Sequence, residues 1–191
     1  MRSGWARKAP AGRVLLLGAL CALAGCGSLE PRRSLGHAEA ALRQGRYSEA
    51  ERRGQAALAA AERCGRPAAV AQAADFLAAI RMLQGRSPQA AALYRKALAS
   101  FRSARDPQAA AATAFDLAGV LSLEGKNAEA EQFYETAVEL SQKSGAKPEE
   151  LYERLDGLAQ FYEMQHRPEE AAIFAKRAAE LSRKLERRSG R

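Results

Sequence analysis

The sequence predicts an all-α fold, a solenoid of about eight antiparallel helices arranged as four hairpins over residues 34–187. Three observations predict it. A short phrase recurs four times: Gly45-Arg46-Tyr47-Ser48-Glu49-Ala50, Gly85-Arg86-Ser87-Pro88-Gln89-Ala90, Gly125-Lys126-Asn127-Ala128-Glu129-Ala130 and His166-Arg167-Pro168-Glu169-Glu170-Ala171. Its last alanines are spaced by 40, 40 and 41 residues, and a fixed period in this range marks stacked supersecondary units. The third observation is a register of alanines tied to the phrase. Ala38, Ala78, Ala118 and Ala159 precede each phrase-final alanine by twelve residues; Ala57, Ala97, Ala137 and Ala178 follow it by seven.

The phrase has a mechanical reading. A glycine ends one helix because it enters the left-handed region without a Cβ penalty. The basic residue after it suits the negative end of that helix. Ser87 and Asn127 are suited to N-caps, and Pro88 and Pro168 to a first helical turn. His166 replaces the glycine in the last copy and can still take the turn, at a cost. Each phrase therefore reads as the tight turn of an αα-hairpin, and the small residues of the register let the helices approach closely.

This pattern resembles the tetratricopeptide repeat, which has small residues at these three places and a glycine in the turn. The resemblance covers roughly residues 31–187. Tyr94 and Tyr134 match the large residue expected just before the third alanine; Gly54 and Ala175 depart from it. The spacing exceeds the family's usual repeat of about 34 residues, which implies longer helices. The fold implied is a right-handed α-α superhelix.

Residues 1–25 form a leader. Met1–Arg13 is basic and Val14–Ala24 is apolar, too short for a membrane span, as in a secretory signal peptide. The leader ends in Leu23-Ala24-Gly25-Cys26, which resembles the bacterial lipobox. The resemblance implies cleavage between Gly25 and Cys26 and lipid on the Cys26 thiol and amine. One acyl chain binds a membrane marginally, and two or more anchor it stably. Gly27 in place of aspartate implies sorting to the outer membrane, on its periplasmic face, rather than retention at the inner membrane. Residues 26–33 form a lipidated tether, where Arg32 and Arg33 either touch anionic headgroups or are simply solvated.

The hairpins follow in order. The first pair is expected at 34–44 and 48–63, with Leu35, Ala38 and Leu42 on one face. The second, at 67–84 and 88–104, sets Val70, Ala74, Leu77 and Ala78 against Ala90, Leu93, Tyr94, Ala97, Leu98 and Phe101. The third, at 107–124 and 128–144, opens on Asp106-Pro107, an N-cap before a first-turn proline. The fourth, at 148–165 and 168–187, packs Leu151, Leu155, Leu158 and Tyr162 on Phe174, Leu181 and Leu185. The polar outer stripe of its last helix suits the end of a stack, and residues 188–191 are expected to fray. Gly119 and Gly157 stand inside helices at a cost of about 1 kcal/mol each against alanine, which marks them as sites of close approach.

Composition narrows the function. The leader holds four of the 30 basic residues and none of the 22 acidic ones, which leaves +4 on the rest. That is too mild a charge to indicate nucleic acid. The two histidines, His37 and His166, lie far apart in the register, and no cysteine or histidine spacing fits zinc. No phosphate-cradling glycine loop or serine elbow occurs. Glu149-Glu150 and Glu169-Glu170 stand at helix starts, where acids suit the positive end of the dipole. Cys64 is expected either to pair between molecules or to pack as a small buried hydrophobe.

These features point to a protein-interaction module without catalysis or metal, whose only non-protein group is the lipid on Cys26. The chain is expected to act as a monomer, tethered to the membrane, with a protein or peptide as its partner. The alternative is a pilotin-like factor that escorts a secretion or pilus subunit to the outer membrane. In the tetratricopeptide family the first helix of each pair lines the concave face. Counting from the register, that face maps to Glu39, then to Gln72, Asp75, Phe76, Ala79 and Met82. It continues through Phe115, Asp116, Gly119 and Ser122 to Glu153, Asp156, Gln160 and Glu163. Such a mildly acidic, part-apolar groove is expected to take a basic or amphipathic segment, with Arg52, Arg53, Arg95, Lys96, Lys143, Lys176 and Arg177 forming a basic outer face.

Overall fold

The computed structural model describes residues 30–189, with side chains over 33–187. The leader, Gly25 and Cys26 lie outside the described residues. Among the described residues there are eight α-helices and no strand: α1 Glu30–Arg43, α2 Tyr47–Arg63, α3 Pro67–Leu83, α4 Ser87–Ser103, α5 Pro107–Leu123, α6 Asn127–Ser144, α7 Pro148–Met164 and α8 Pro168–Ser189. Each packs chiefly on its neighbours in sequence, so the fold is an all-α superhelix built from four hairpins.

The turns share one hydrogen-bond pattern. In the first, Gly45 N donates to Leu42 O and Arg46 N to Ala41 O, both at 2.9 Å. This is the Schellman closure, which satisfies carbonyls a helix end would leave unpaired. It requires one residue in the left-handed region. Gly45, Gly85 and Gly125 supply it at φ 72°, 69° and 73°. His166 supplies it in the last hairpin at φ 56°, and Arg105 between the second and third hairpins at φ 56°.

Four details depart from expectation. Helix α1 begins at Glu30, so the last residues assigned to the tether form its first turn, where Pro31 lacks only an N–H that would be unpaired anyway. Ser87 and Asn127 are not caps. They stand one residue inside α4 and α6, after Arg86 and Lys126, which make no side-chain capping bond. Asp106 does cap α5, accepting from Ala109 N at 3.0 Å. The tail expected to fray from 188 stays helical through Ser189, in a stretch of strong helix formers whose cations suit the C-terminal end. Cys64 is half-buried at the C-cap of α2 and enters a disulfide; the other cysteines, Cys21 and Cys26, lie outside the described residues.

All twelve register alanines are buried, none more than 3% exposed. They let α3 to α8 share one core around Leu117, Leu121, Leu158 and Phe161, while the first hairpin attaches through two small clusters, one holding Leu35 and the other Ile80. A ring belongs beside the third alanine of each repeat, and Tyr94 and Tyr134 fill that place in the second and third. In the first repeat the corresponding Gly54 leaves room for the Phe76 ring from α3, 3.0 Å from where a Cβ would stand. The last hairpin is held by a knot. Arg167 lies over the Tyr162 ring at 4.5 Å and bonds Glu131 at 2.8 Å, while the Tyr162 hydroxyl donates to Glu131 at 2.9 Å.

The outer face is not simply basic. Arg95 pairs with Glu129 at 2.6 Å, Lys96 with Glu62, Arg53 with Glu49 and Lys143 with Glu139. Acids one turn away on the same helix, or on the second helix of an adjacent repeat, pair with four of the seven cations that sequence placed there.

Candidate functional site

The first helices of the hairpins carry two cavities. One, of about 570 Å³, lies between α1 and α3 and is lined by Glu39, Gln72, Asp75, Phe76 and Ala79 together with Leu35, Gly36 and Phe101. The other, of about 740 Å³, centres on α5 and takes in Met82, Phe115, Asp116, Gly119 and Ser122. The four residues expected from the last repeat are not brought into either cavity. Glu153, Gln160 and Glu163 are exposed along α7, and Asp156 accepts from Gln160 Nε2 at 2.7 Å.

Each cavity holds a carboxylate in a partly apolar frame, Asp116 in the larger and Asp75 in the smaller. Asp75 and Asp116 come from equivalent helices one repeat apart. Thr113, fully buried on α5, donates its hydroxyl to Asp75 Oδ1 at 2.8 Å and ties α5 to α3. Burial pushes the Asp75 carboxyl above its usual range, and the Thr113 bond draws it back. Asp116 is accessible through the open cavity mouth, but protein crowds its carboxylate. Its pKa is pushed up to about 6, first by burial and then by the negative charge of Asp75, with Arg154 opposing. The Tyr94 hydroxyl is raised by burial and by Asp116 and Asp75, and Tyr134 by burial and Asp116. Asp116 in the larger cavity and Asp75 in the smaller thus set negative charge beside aromatic walls, with Arg154 as the opposing charge at Asp116.

Several of these residues were missed from sequence. Arg154 is only 7% exposed; its Nη1 donates to the Glu150 carbonyl at 2.6 Å and its Nε has no partner. It is the one cation in the 148–164 stretch, a usable signal in a helix otherwise acidic and apolar. Asn127 Nδ2 donates to Gln165 Oε1 at 2.7 Å, and both line the larger cavity. Leu123 and Met164 complete its rim. Each stands five residues after the first alanine of its repeat, so the register itself would have found them.

A family model for the tetratricopeptide repeat matches residues 68–143 and again 108–184. The chain belongs to the tetratricopeptide repeat family. Its repeats form a protein-interaction scaffold. Among solved structures, this tetratricopeptide chain is similar to BtubC from P. vanneervenii, with a TM-score of 0.76 at 20% identity over 83% of this chain and 65% of BtubC. It is similar to the apo form of RapI, with a TM-score of 0.74 at 13% identity over 82% of this chain and 57% of RapI. Nearly identical TPR-like repeats from Podosopora anserina align with a TM-score of 0.65 at 18% identity, over 80% of this chain and 75% of theirs. At these identities the likeness is one of fold. The chain spans less than two thirds of the length of BtubC and RapI. No curated protein sequence matches it.

Proposed function

We propose that this tetratricopeptide chain is a lipid-anchored adaptor on the periplasmic face of the bacterial outer membrane, which binds a basic or amphipathic segment of a protein partner along its first helices. We assign it no catalysis. The observation that carries the binding reading is the pair of crowded carboxylates, Asp75 and Asp116, in cavities walled by Phe76, Phe115 and Met82. A cation brought there is attracted by the two carboxylates, with Arg154 the opposing charge at Asp116, and the aromatic walls bury its apolar flanks. The lipobox of residues 23–26 supports the anchor. No described helix is long and apolar enough to cross a membrane.

The test starts with a binder captured by crosslinking on intact membranes and identified by mass spectrometry. Its affinity is then measured for the full chain, for Asp75→Lys and Asp116→Lys together, and for Arg95→Glu. Loss in the double variant with an unchanged Arg95→Glu is the expected result. The reverse pattern would move the partner to the outer face and overturn the reading. A partner whose outer-membrane oligomer is mislocalised in cells lacking the protein would identify an assembly factor instead of a scaffold.

A further inference from the structure

Eight helices that reverse direction at every turn give the solenoid two edges. One carries the four turns inside the hairpins. The other carries the start of α1, the three turns between hairpins and the end of α8. Each edge collects four helix starts and four helix ends, so the helix dipoles offset one another there and side chains set the charge.

The second edge is basic. Its three turns carry Arg63 and Arg66, Arg102 and Arg105, and Lys147. Four of the five are exposed and Arg66 is half-buried. None forms an ion pair with a described residue. The nearby acids are already engaged: Glu62 pairs with Lys96, Asp106 caps α5 and Glu150 accepts from Gln108 Nε2 at 2.9 Å, which leaves Glu149 exposed. At the first edge it is the cations that are engaged. Arg46 pairs with Glu49 at 2.6 Å, Lys126 with Glu124 at 2.7 Å, and Arg167 with Glu131 and Glu170 at 2.8 Å each. Of the four cations in the repeated turn phrase, only Arg86 lacks such a pair among the described residues.

The start of α1 at Glu30 puts the N-terminal segment on the basic edge. Cys26 is four residues from Glu30, a span that covalent geometry limits to about 14 Å. Lipid on Cys26 would hold this edge against the bilayer. The opposite edge, where Leu83, Leu123 and Met164 stand 65%, 75% and 63% exposed, is a helix length away, about 25 Å for 17 residues.

We propose that the edge formed by the turns between hairpins binds the headgroups of anionic phospholipids through Arg63, Arg66, Arg102, Arg105 and Lys147, so that the solenoid stands on the membrane with its helices along the bilayer normal and its hairpin turns pointing away. The inference rests on the lipid anchor proposed above. It adds the surface that meets the membrane, the class of lipid and the orientation of the repeats. Lipid is favoured over other polyanions because the short tether brings this edge, and not the other, to the bilayer. Arginine suits the contact, since its planar fork matches phosphate oxygens. Each basic residue at an anionic surface raises the binding constant about fivefold. Exposed charges are strongly screened at physiological salt. The edge therefore orients a chain that the acyl groups hold, and it does not retain a chain without them.

The test uses the full-length protein purified from membranes and reconstituted on vesicles of phosphatidylcholine, with and without phosphatidylglycerol. Amine labelling read by mass spectrometry follows Lys147 and Lys184 at the basic edge and Lys126 at the opposite one. We expect phosphatidylglycerol to slow labelling of Lys147 and Lys184 about threefold or more and to leave Lys126 unchanged. The protection should vanish at about 1 M salt, where the screening length is about 3 Å. It should also vanish when Arg63→Gln, Arg66→Gln and Arg102→Gln are combined, and survive Arg43→Gln with Arg86→Gln at the opposite edge. Equal labelling on both kinds of vesicle, or protection of Lys126 instead, would overturn the proposal. Protection that an oligonucleotide removes by binding the chain in solution would overturn it in favour of nucleic acid. Flotation with phosphatidylcholine alone reads the anchor separately. A protein that floats without protection has an anchor and no lipid-binding edge. One that floats only with phosphatidylglycerol, and only at low salt, has the edge and no anchor; one that floats with neither has lost both.

Discussion

The Phe115 ring occupies the space a side chain at position 157 would take. A Cβ built on Gly157 would stand 2.4 Å from Phe115 Cζ and 2.5 Å from Cε2. The contact joins α5 to α7, and it sets one wall of the larger cavity, since the same ring packs edge-on against Tyr134 with centroids 5.2 Å apart. Gly157→Ala is therefore expected to destabilise the protein by about 1–3 kcal/mol despite the better helix propensity of alanine. Gly119→Ala is expected to act in the opposite direction. A Cβ there meets only the Tyr134 hydroxyl, at an ordinary 3.6 Å, so the propensity gain of up to about 1 kcal/mol remains. Chemical denaturation of the two variants checks the pair, and a Gly157→Ala protein as stable as wild type would refute the wedge.

Ala118 has no exposed surface and stands in the first-alanine register of the third repeat. Ala118→Leu adds volume where two helices meet closely, and is expected to cost about 1–3 kcal/mol. The midpoint of a urea titration reads it. An unchanged midpoint would show that the contact has slack.

Stability near Asp116 should depend on pH in an unusual sense. Its folded-state pKa is raised from 3.8 to about 6, so between those values the folded protein binds more protons than the unfolded chain. Stability from this group is therefore lost as pH rises through the window, and the loss is complete above about 6. Glu51 and Glu131, held low by hydrogen bonds from Gln84 and Arg167, act in the opposite sense and lose stability as pH falls. The difference between wild type and Asp116→Asn isolates the first effect. The variant should gain on wild type as pH rises from 4 to 6.5, whereas parallel curves would exclude a crowded carboxylate.

On the proposed anchor, Cys26→Ser is expected to leave the precursor uncleaved or to release the protein from membranes, because stable attachment needs two or more acyl chains and Cys26 would carry them. Fractionation reads the release, and intact mass of the wild-type protein reads the acyl chains. A variant processed and sedimented like wild type, or a Cys26 found in a disulfide instead of acylated, would remove the anchor from the proposal.

The sequence by itself determined the helices, their pairing and the core. Each is a local matter or a periodic one: left-handed turn residues, first-turn prolines, and alanines small enough for close packing at a constant register. All twelve of those alanines are buried, and the turns close as the phrase implied. The groove was legible in part, because a register states which helix face a residue occupies. Asp75, Phe76, Phe115 and Asp116 reached the cavities on that ground alone. Tertiary structure decided the rest. Whether Asp156 or Glu163 shares a cavity with Asp116 depends on how the last repeat is stacked on the one before, and here they stay outside. Whether Asp116 is an ordinary surface acid or a crowded one depends on Asp75 and Arg154, each about 40 residues away in the chain. The cations of the outer face read as a basic surface until Arg95 meets Glu129 and Lys96 meets Glu62 across adjacent repeats. Charge, solvation and exposure are properties of what surrounds a side chain, and in a stacked fold most of the surroundings come from the next repeat.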